Sequence, residues 1–323
     1  MLSALALCAL LSAAPIELPG GPPVGMDFLA YDGANHRVWV PAGNTGFVDV
    51  VDTVTRKIVR LGGFPTIPSQ RPGRPDMGPS SATVGEREVW IGNRGDNKLC
   101  PFDRRTLKRR SCVQIGSMPD GLAYVSETGE VWVTTPKDKS IVIVDVNGKP
   151  ARPLSSITFG GSPEGYAVDG VRSVFYTNLE DRDQKLAIDI KTHKVAETWS
   201  PGCGAEGPRG LALDSPRRLL FVACTSGVVA LDLARGGKIV SRLKTGAGVD
   251  NIDYFAPKSL LYIASGKDAR LTIGRVGDEG MLTAIEVLPT AEGARNAVVD
   301  GAGTAYVPDS RSGKLIVIRL PAH

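Results

Sequence analysis

The stretch PDGLAYVSETGEVWVTTPKDKSIVIVD, residues 119–145, reads as three short strands separated by turns. Pro119-Asp120-Gly121 is a turn that opens a short apolar strand. Val131-Trp132-Val133 centres a second strand. After a polar turn, residues 141–145 form a third that ends in Asp145. β-Branched and aromatic residues in short runs, bounded by turn formers, favour extended backbone.

The same unit recurs along the chain. Its central triplet appears around Trp39, Trp90, Trp132, Phe175, Phe221, Tyr262 and Tyr306, at intervals of 51, 42, 43, 46, 41 and 44 residues. The long first interval holds an insertion, GGFPTIPSQRPGRP (62–75). About ten residues before each triplet lies an entry turn, as in PEGYAVD (163–169), PRGLALD (208–214), VDNIDYF (249–255) and ARNAVVD (294–300). After it comes an alternating strand, as in FVDVVD (47–52) and KLAID (185–189). A fourth strand follows in most units, for example KIVRL (57–61) and KVAET (194–198). Four strands at this period make a propeller blade, because radial stacking buries both faces of each sheet. The expectation is therefore an all-β, seven-bladed β-propeller of four-stranded antiparallel blades, forming one domain over residues 15–323. The seventh unit lacks a fourth strand before the C-terminus. Ile16-Glu17-Leu18 is the segment available to supply it and close the ring.

Residues 1–14 (MLSALALCALLSAA) are apolar, uncharged and too short to span a bilayer; they read as an export signal. Cys100, Cys112, Cys203 and Cys224 then remain in the exported chain. Their even number predicts two disulfides, Cys100 with Cys112 across a hairpin and Cys203 with Cys224 across a turn and a strand. A periplasmic or secreted monomer is expected. Net charge is +4 with acids and bases interleaved, and no clustered basic stripe marks a nucleic-acid binder.

The entry turns Pro119-Asp120-Gly121 and Pro163-Glu164-Gly165, with the turns Asp52-Thr53-Val54-Thr55-Arg56-Lys57 and Asp189-Ile190-Lys191-Thr192-His193-Lys194, resemble YVTN-type or YncE-like propeller repeats. That group shares a superfamily with the heavy chains of quinoprotein amine dehydrogenases. The resemblance covers nearly all of residues 15–323 and implies fold more than function. Some YncE-like proteins bind single-stranded DNA. Here the aromatics fall in the strand triplets rather than beside basic loop residues, which disfavours base stacking.

In a propeller the entry turns and the loops after each triplet share one face and converge on a funnel, where a ligand or partner protein is expected to bind. The candidate ligand-binding residues are Asp27, Asn93, Asp120, Glu164, Asn178, Arg209, Asp250 and Arg295. Arg94, Asp96, Glu180 and Asp181 join them from the loops after the triplets. Glu164, Asn178, Asp120 and Asn93 are the oxygen donors for calcium, if a calcium-dependent, lactonase-like hydrolase is the alternative. The gluconolactonase class has six blades, against seven here. Arg209 and Arg295 could instead clamp an anion. Asp52, Asp103, Asp145, Asp189 and Asp232 are expected to cap turns on the opposite face. His36 and His193 fall in turns away from the funnel and His323 ends the chain, so the histidine chemistry of virginiamycin-lyase-like and paraoxonase-like propellers is not expected.

Overall fold

The computed structural model describes residues 12–320 except 70, 71 and 149. Most of the expected export signal, residues 1–11, lies outside the described residues. The chain forms seven four-stranded antiparallel sheets arranged as a seven-bladed propeller. In each sheet strand A is innermost and strand D outermost. Blade 4 is representative, with strands Pro163–Asp169, Val174–Leu179, Gln184–Asp189 and Lys194–Trp199.

Each strand B is almost wholly buried because neighbouring blades cover both of its faces. Large rings fill the wedge between blades. Trp132 of blade 3 stacks on Phe175 of blade 4 at 4.6 Å between centroids, and Trp39 of blade 1 tilts against Phe102 of blade 2 at 6.1 Å. Such contacts add to the burial of 150–250 Å² that a large ring typically brings.

The ring is closed by the N-terminus. Ser12–Glu17 pairs antiparallel with Lys314–Ile318 and becomes strand D of blade 7, whose other strands are Val298–Val299 and Ala305–Asp309. Ile16 and Leu18 are buried beneath this seam. The first and last segments thus share one sheet, and the edge of Lys314–Ile318 is covered by a fourth strand as in the other blades.

Both expected disulfides are present, Cys100–Cys112 in blade 2 and Cys203–Cys224 in blade 5. The insertion before blade 2 lies against its neighbours: Phe64 packs 5.9 Å from Phe102. The five turn aspartates cap backbone N–H groups of their own turns. Asp52 accepts from Val54 and Thr55, Asp103 from Arg105 and Thr106, Asp145 from Asn147 and Gly148, Asp189 from Thr192, and Asp232 from Ala234 and Arg235. These bonds, joined by the hydroxyl of Thr106 at Asp103 and led by the hydroxyl of Thr192 at Asp189, favour the ionised form and hold Asp52, Asp103 and Asp189 below the usual carboxylate range.

Candidate funnel on the entry face

The entry turns of blades 4, 5 and 6 are β-bulges. Pairing between strands A and B slips between Pro163 and Tyr166, between Pro208 and Leu211, and between Val249 and Ile252. A bulge breaks the in–out alternation and re-aims a side chain. Here it brings Glu164, Arg209 and Asp250 together at the mouth of the axis. The glycine of the entry turn has a separate reason. A Cβ on Gly165 would stand 2.2 Å from the Arg209 carbonyl oxygen, and one on Gly210 would stand 2.6 Å from Asn251 Oδ1. Inner strands of adjacent blades approach too closely for a side chain.

Around the mouth, acids and arginines interlock across blades. Arg94 Nη2 lies 2.9 Å from Asp27 Oδ2 and also donates to Asp120 Oδ1. Arg295 Nε lies 3.0 Å from Asp250 Oδ2, and its Nη2 stands 3.6 Å from Asp27 Oδ1. Arg209 donates to Glu180. Asn296 ties blade 7 to blade 1 by donating to the Asp27 carbonyl at 2.9 Å. Burial works against the Arg94 charge, but Asp120 and Asp27 outweigh it and keep the guanidinium protonated.

Five carboxyls, Asp27, Asp120, Glu164, Glu180 and Asp250, face three guanidiniums, Arg94, Arg209 and Arg295. Glu164 has no arginine partner among the described residues. Burial first, then repulsion from Asp120, Asp250 and Glu180, pushes its pKa well above the ordinary value. Burial also raises Asp120, against the pull of Arg94 and a hydrogen bond with Glu164. Asp250 is pushed up to about 6 by burial, against the pull of Arg295. Asp120 and Glu164 are therefore a hydrogen-bonded pair of carboxyls that each hold a proton more tightly than a free carboxyl does.

The linkage sign follows from these shifts. A carboxyl whose folded pKa is raised binds its proton more tightly in the folded state, so folding stability falls as pH climbs from about 4 through 6 and beyond. Glu164→Gln is expected to raise the urea midpoint at about pH 8 and to leave it unchanged at about pH 4, where the unfolded carboxyl is also protonated. An equal change at both pH values would refute the repulsion described for Glu164.

The other sequence candidates serve different ends. Asn93 is fully buried, and its amide donates to Asp96 Oδ1 at 2.7 Å and to the Pro65 carbonyl at 3.2 Å. Asn178 is also fully buried and donates to the Arg209 carbonyl at 2.5 Å. Both amides hold loops rather than face the mouth. Asp27, Asp120, Glu164, Arg209, Asp250 and Arg295 do come together. Among the described residues, no three of His, Cys, Asp and Glu are arranged to hold a metal ion. His36 and His193 lie in turns on the far face; His193 stands 3.6 Å from Glu130 and edge-on to Trp132.

Below the mouth the channel holds two stacked cavities, of about 230 Å³ and about 280 Å³. Tyr166, Leu211 and Asp253 line both. Tyr166 of blade 4 stacks on Phe28, which precedes the first strand of blade 1, at 5.9 Å across the axis. Asp253 accepts backbone N–H bonds from Tyr254 and Val299, each 2.8 Å, and burial lifts its pKa to about 6. These three side chains were missed in the sequence. Their one signal is inward alternation along strand A, which places Asp253 two residues beyond Asn251.

No family model and no curated protein matches the sequence. Many solved structures share the fold. A chain from a mitotic checkpoint complex aligns over 97% of this chain and 92% of its own length, at 12% identity and a TM-score of 0.79. Hydrazine synthase of Kuenenia stuttgartiensis aligns over 95% and 98%, at 14% and 0.77. A streptogramin B lyase aligns over 95% and 97%, at 13% and 0.74. At such identities the likeness is one of fold alone.

Proposed function

We propose that this chain is an exported, non-catalytic β-propeller that binds a ligand or partner protein at the entry-face funnel, through a positively charged group seated against Glu164. One observation carries the reading: the guanidiniums of Arg94, Arg209 and Arg295 are all engaged by acids, and Glu164 is the carboxyl without an arginine partner among the described residues. A cation at that position would neutralise Glu164, relieve its repulsion with Asp120, and gain from the low dielectric of the mouth. The same pairing speaks against an anion clamp, since Arg209 and Arg295 are already occupied. The apolar leader and the two disulfides support an oxidising, extracytoplasmic setting. The repeat pattern supports placing the chain among YVTN-type propellers.

The probe is an oligolysine peptide, compared with an oligoglutamate of equal length. Oligolysine is expected to bind and to weaken steeply with salt. Oligoglutamate is expected not to bind; binding of oligoglutamate instead would overturn the reading in favour of the arginines. The runner-up, a calcium-dependent hydrolase, predicts that calcium raises the melting midpoint and EDTA lowers it. The expected result is one midpoint in all three conditions.

A further inference from the structure

One residue of the channel departs from the repeat. In every blade an aromatic residue of strand B has a small partner directly opposite it on strand A, and paired side chains share one face of the sheet. That partner is alanine in blades 1, 3, 4 and 5, at Ala30, Ala123, Ala167 and Ala212. It is Thr83 in blade 2 and Val298 in blade 7. In blade 6 it is Asp253, opposite Tyr262. A carboxyl put where alanine serves elsewhere carries a desolvation cost and needs a reason. Its two bonds from the N–H groups of Tyr254 and Val299 offset part of that cost. A carboxylate has about four acceptor sites, so capacity remains on a side chain that lines both cavities. No arginine, lysine or histidine pairs with Asp253 among the described residues.

The walls around it fit a charged group on an apolar stem. Among the described residues, the charged side chains lining the two cavities are both acids, Asp27 and Asp253. Asp27 is already held by Arg94 and Arg295. Phe28, Leu29, Leu211 and Val298 line the cavity nearer the mouth, and Val168 and Leu213 the one below. Asp253 follows Asp250 on the same bulged strand. At about 3.3 Å per residue, less the bulge, it lies about 7–10 Å below the mouth, within reach of a short alkyl chain.

We propose that Asp253 is a second cation position, inside the channel, and that the ligand is an aliphatic diamine. One ammonium sits beside Glu164 at the mouth, the methylenes lie along the apolar walls, and the other ammonium sits beside Asp253. The Glu164 end rests on the reading above, whereas the Asp253 end stands on the channel alone. An anionic ligand would meet only acids in these walls. A bare metal ion would find one unpaired carboxyl among apolar side chains, short of the six to eight oxygens that calcium takes.

The test is calorimetric titration of the full chain with cadaverine, with pentylamine, which has the same stem and one charge, and with oligolysine. Cadaverine is expected to bind at least about tenfold more tightly than pentylamine, the scale of one further charge-assisted contact. Asp253→Asn should remove that advantage and leave oligolysine binding unchanged, since a polypeptide backbone stays at the mouth. Asp253→Ala, which restores the residue of four other blades, should do the same. Melting midpoints establish that both variants fold. Three outcomes would overturn the proposal: no binding of cadaverine, undiminished cadaverine affinity in both folded variants, or an equal loss of cadaverine and oligolysine binding. The second of these, with a lowered midpoint, would mean that Asp253 serves only to hold Val299. Glu164→Gln separates the two ends. Cadaverine binding that falls in Asp253→Asn but not in Glu164→Gln would refute the mouth reading and leave the channel position standing.

Discussion

Replacing Arg94 by methionine is expected to destabilise the protein by about 3–5 kcal/mol near neutral pH, because it strands charges at the channel mouth. Arg94 stands between Asp27 of blade 1 and Asp120 of blade 3, and all three side chains are mostly shielded from water. Removing the cation leaves two carboxylates facing each other in a weakly screened site. The penalty belongs to their ionised forms. It is full above their pKa values and shrinks as pH falls and both take up protons. Urea denaturation at about pH 7 and about pH 4 checks this. A loss of the same size at both pH values would mean that Arg94 matters through packing and not through charge.

Truncation to residues 19–323 is expected to be comparably damaging. It removes the strand that completes blade 7 and exposes the edge of Lys314–Ile318. Ile16 and Leu18 alone bury enough apolar surface to contribute about 3–6 kcal/mol together. The opened edge is a template for pairing with a second chain. A lowered urea midpoint together with concentration-dependent association, seen by sedimentation velocity, is the predicted result. A truncated chain that stays monomeric at the parent midpoint would contradict closure by the N-terminus.

The period of the triplets was legible because each blade repeats the same local physics: alternating apolar residues, a turn, and an aspartate cap. Asp52 and Asp189 cap their turns for reasons contained within four residues of chain. The disulfides were legible from short spacing. The funnel residues were legible one at a time, since an entry turn marks its own blade. Their pairing was not. Arg94 meets Asp27 and Asp120, and Tyr166 meets Phe28, because of angular positions around the ring that no local pattern encodes. Lys185 shows the same limit. A lysine at a strand end reads as solvent-facing, yet it is fully buried between Tyr176 and Trp199, at 4.0 and 4.3 Å. Burial lowers its pKa far below the ordinary value, against the pull of Glu197.

The entry turns differ between blades on an otherwise repetitive scaffold. Asp120, Glu164, Arg209 and Asp250 occupy the same position in successive blades, so the entry turn recurs while its charge varies. The result is a ring with more acids than arginines, in which Glu164 is the acid without an arginine partner among the described residues, with Tyr166 and Phe28 stacked across the channel below.

Proton release on binding tests recognition of a cation at Glu164 most directly. Oligolysine is titrated calorimetrically at about pH 6 in two buffers with different ionisation heats. A cation beside Glu164 favours the ionised form of both Glu164 and Asp120, so the account predicts that binding expels protons and that the apparent enthalpy differs between buffers. In Glu164→Gln this difference should shrink and affinity should fall at least about tenfold, the scale of one charge-assisted contact. Equal enthalpies in both buffers for the parent protein, or undiminished affinity in the variant, would contradict recognition of a cation at Glu164.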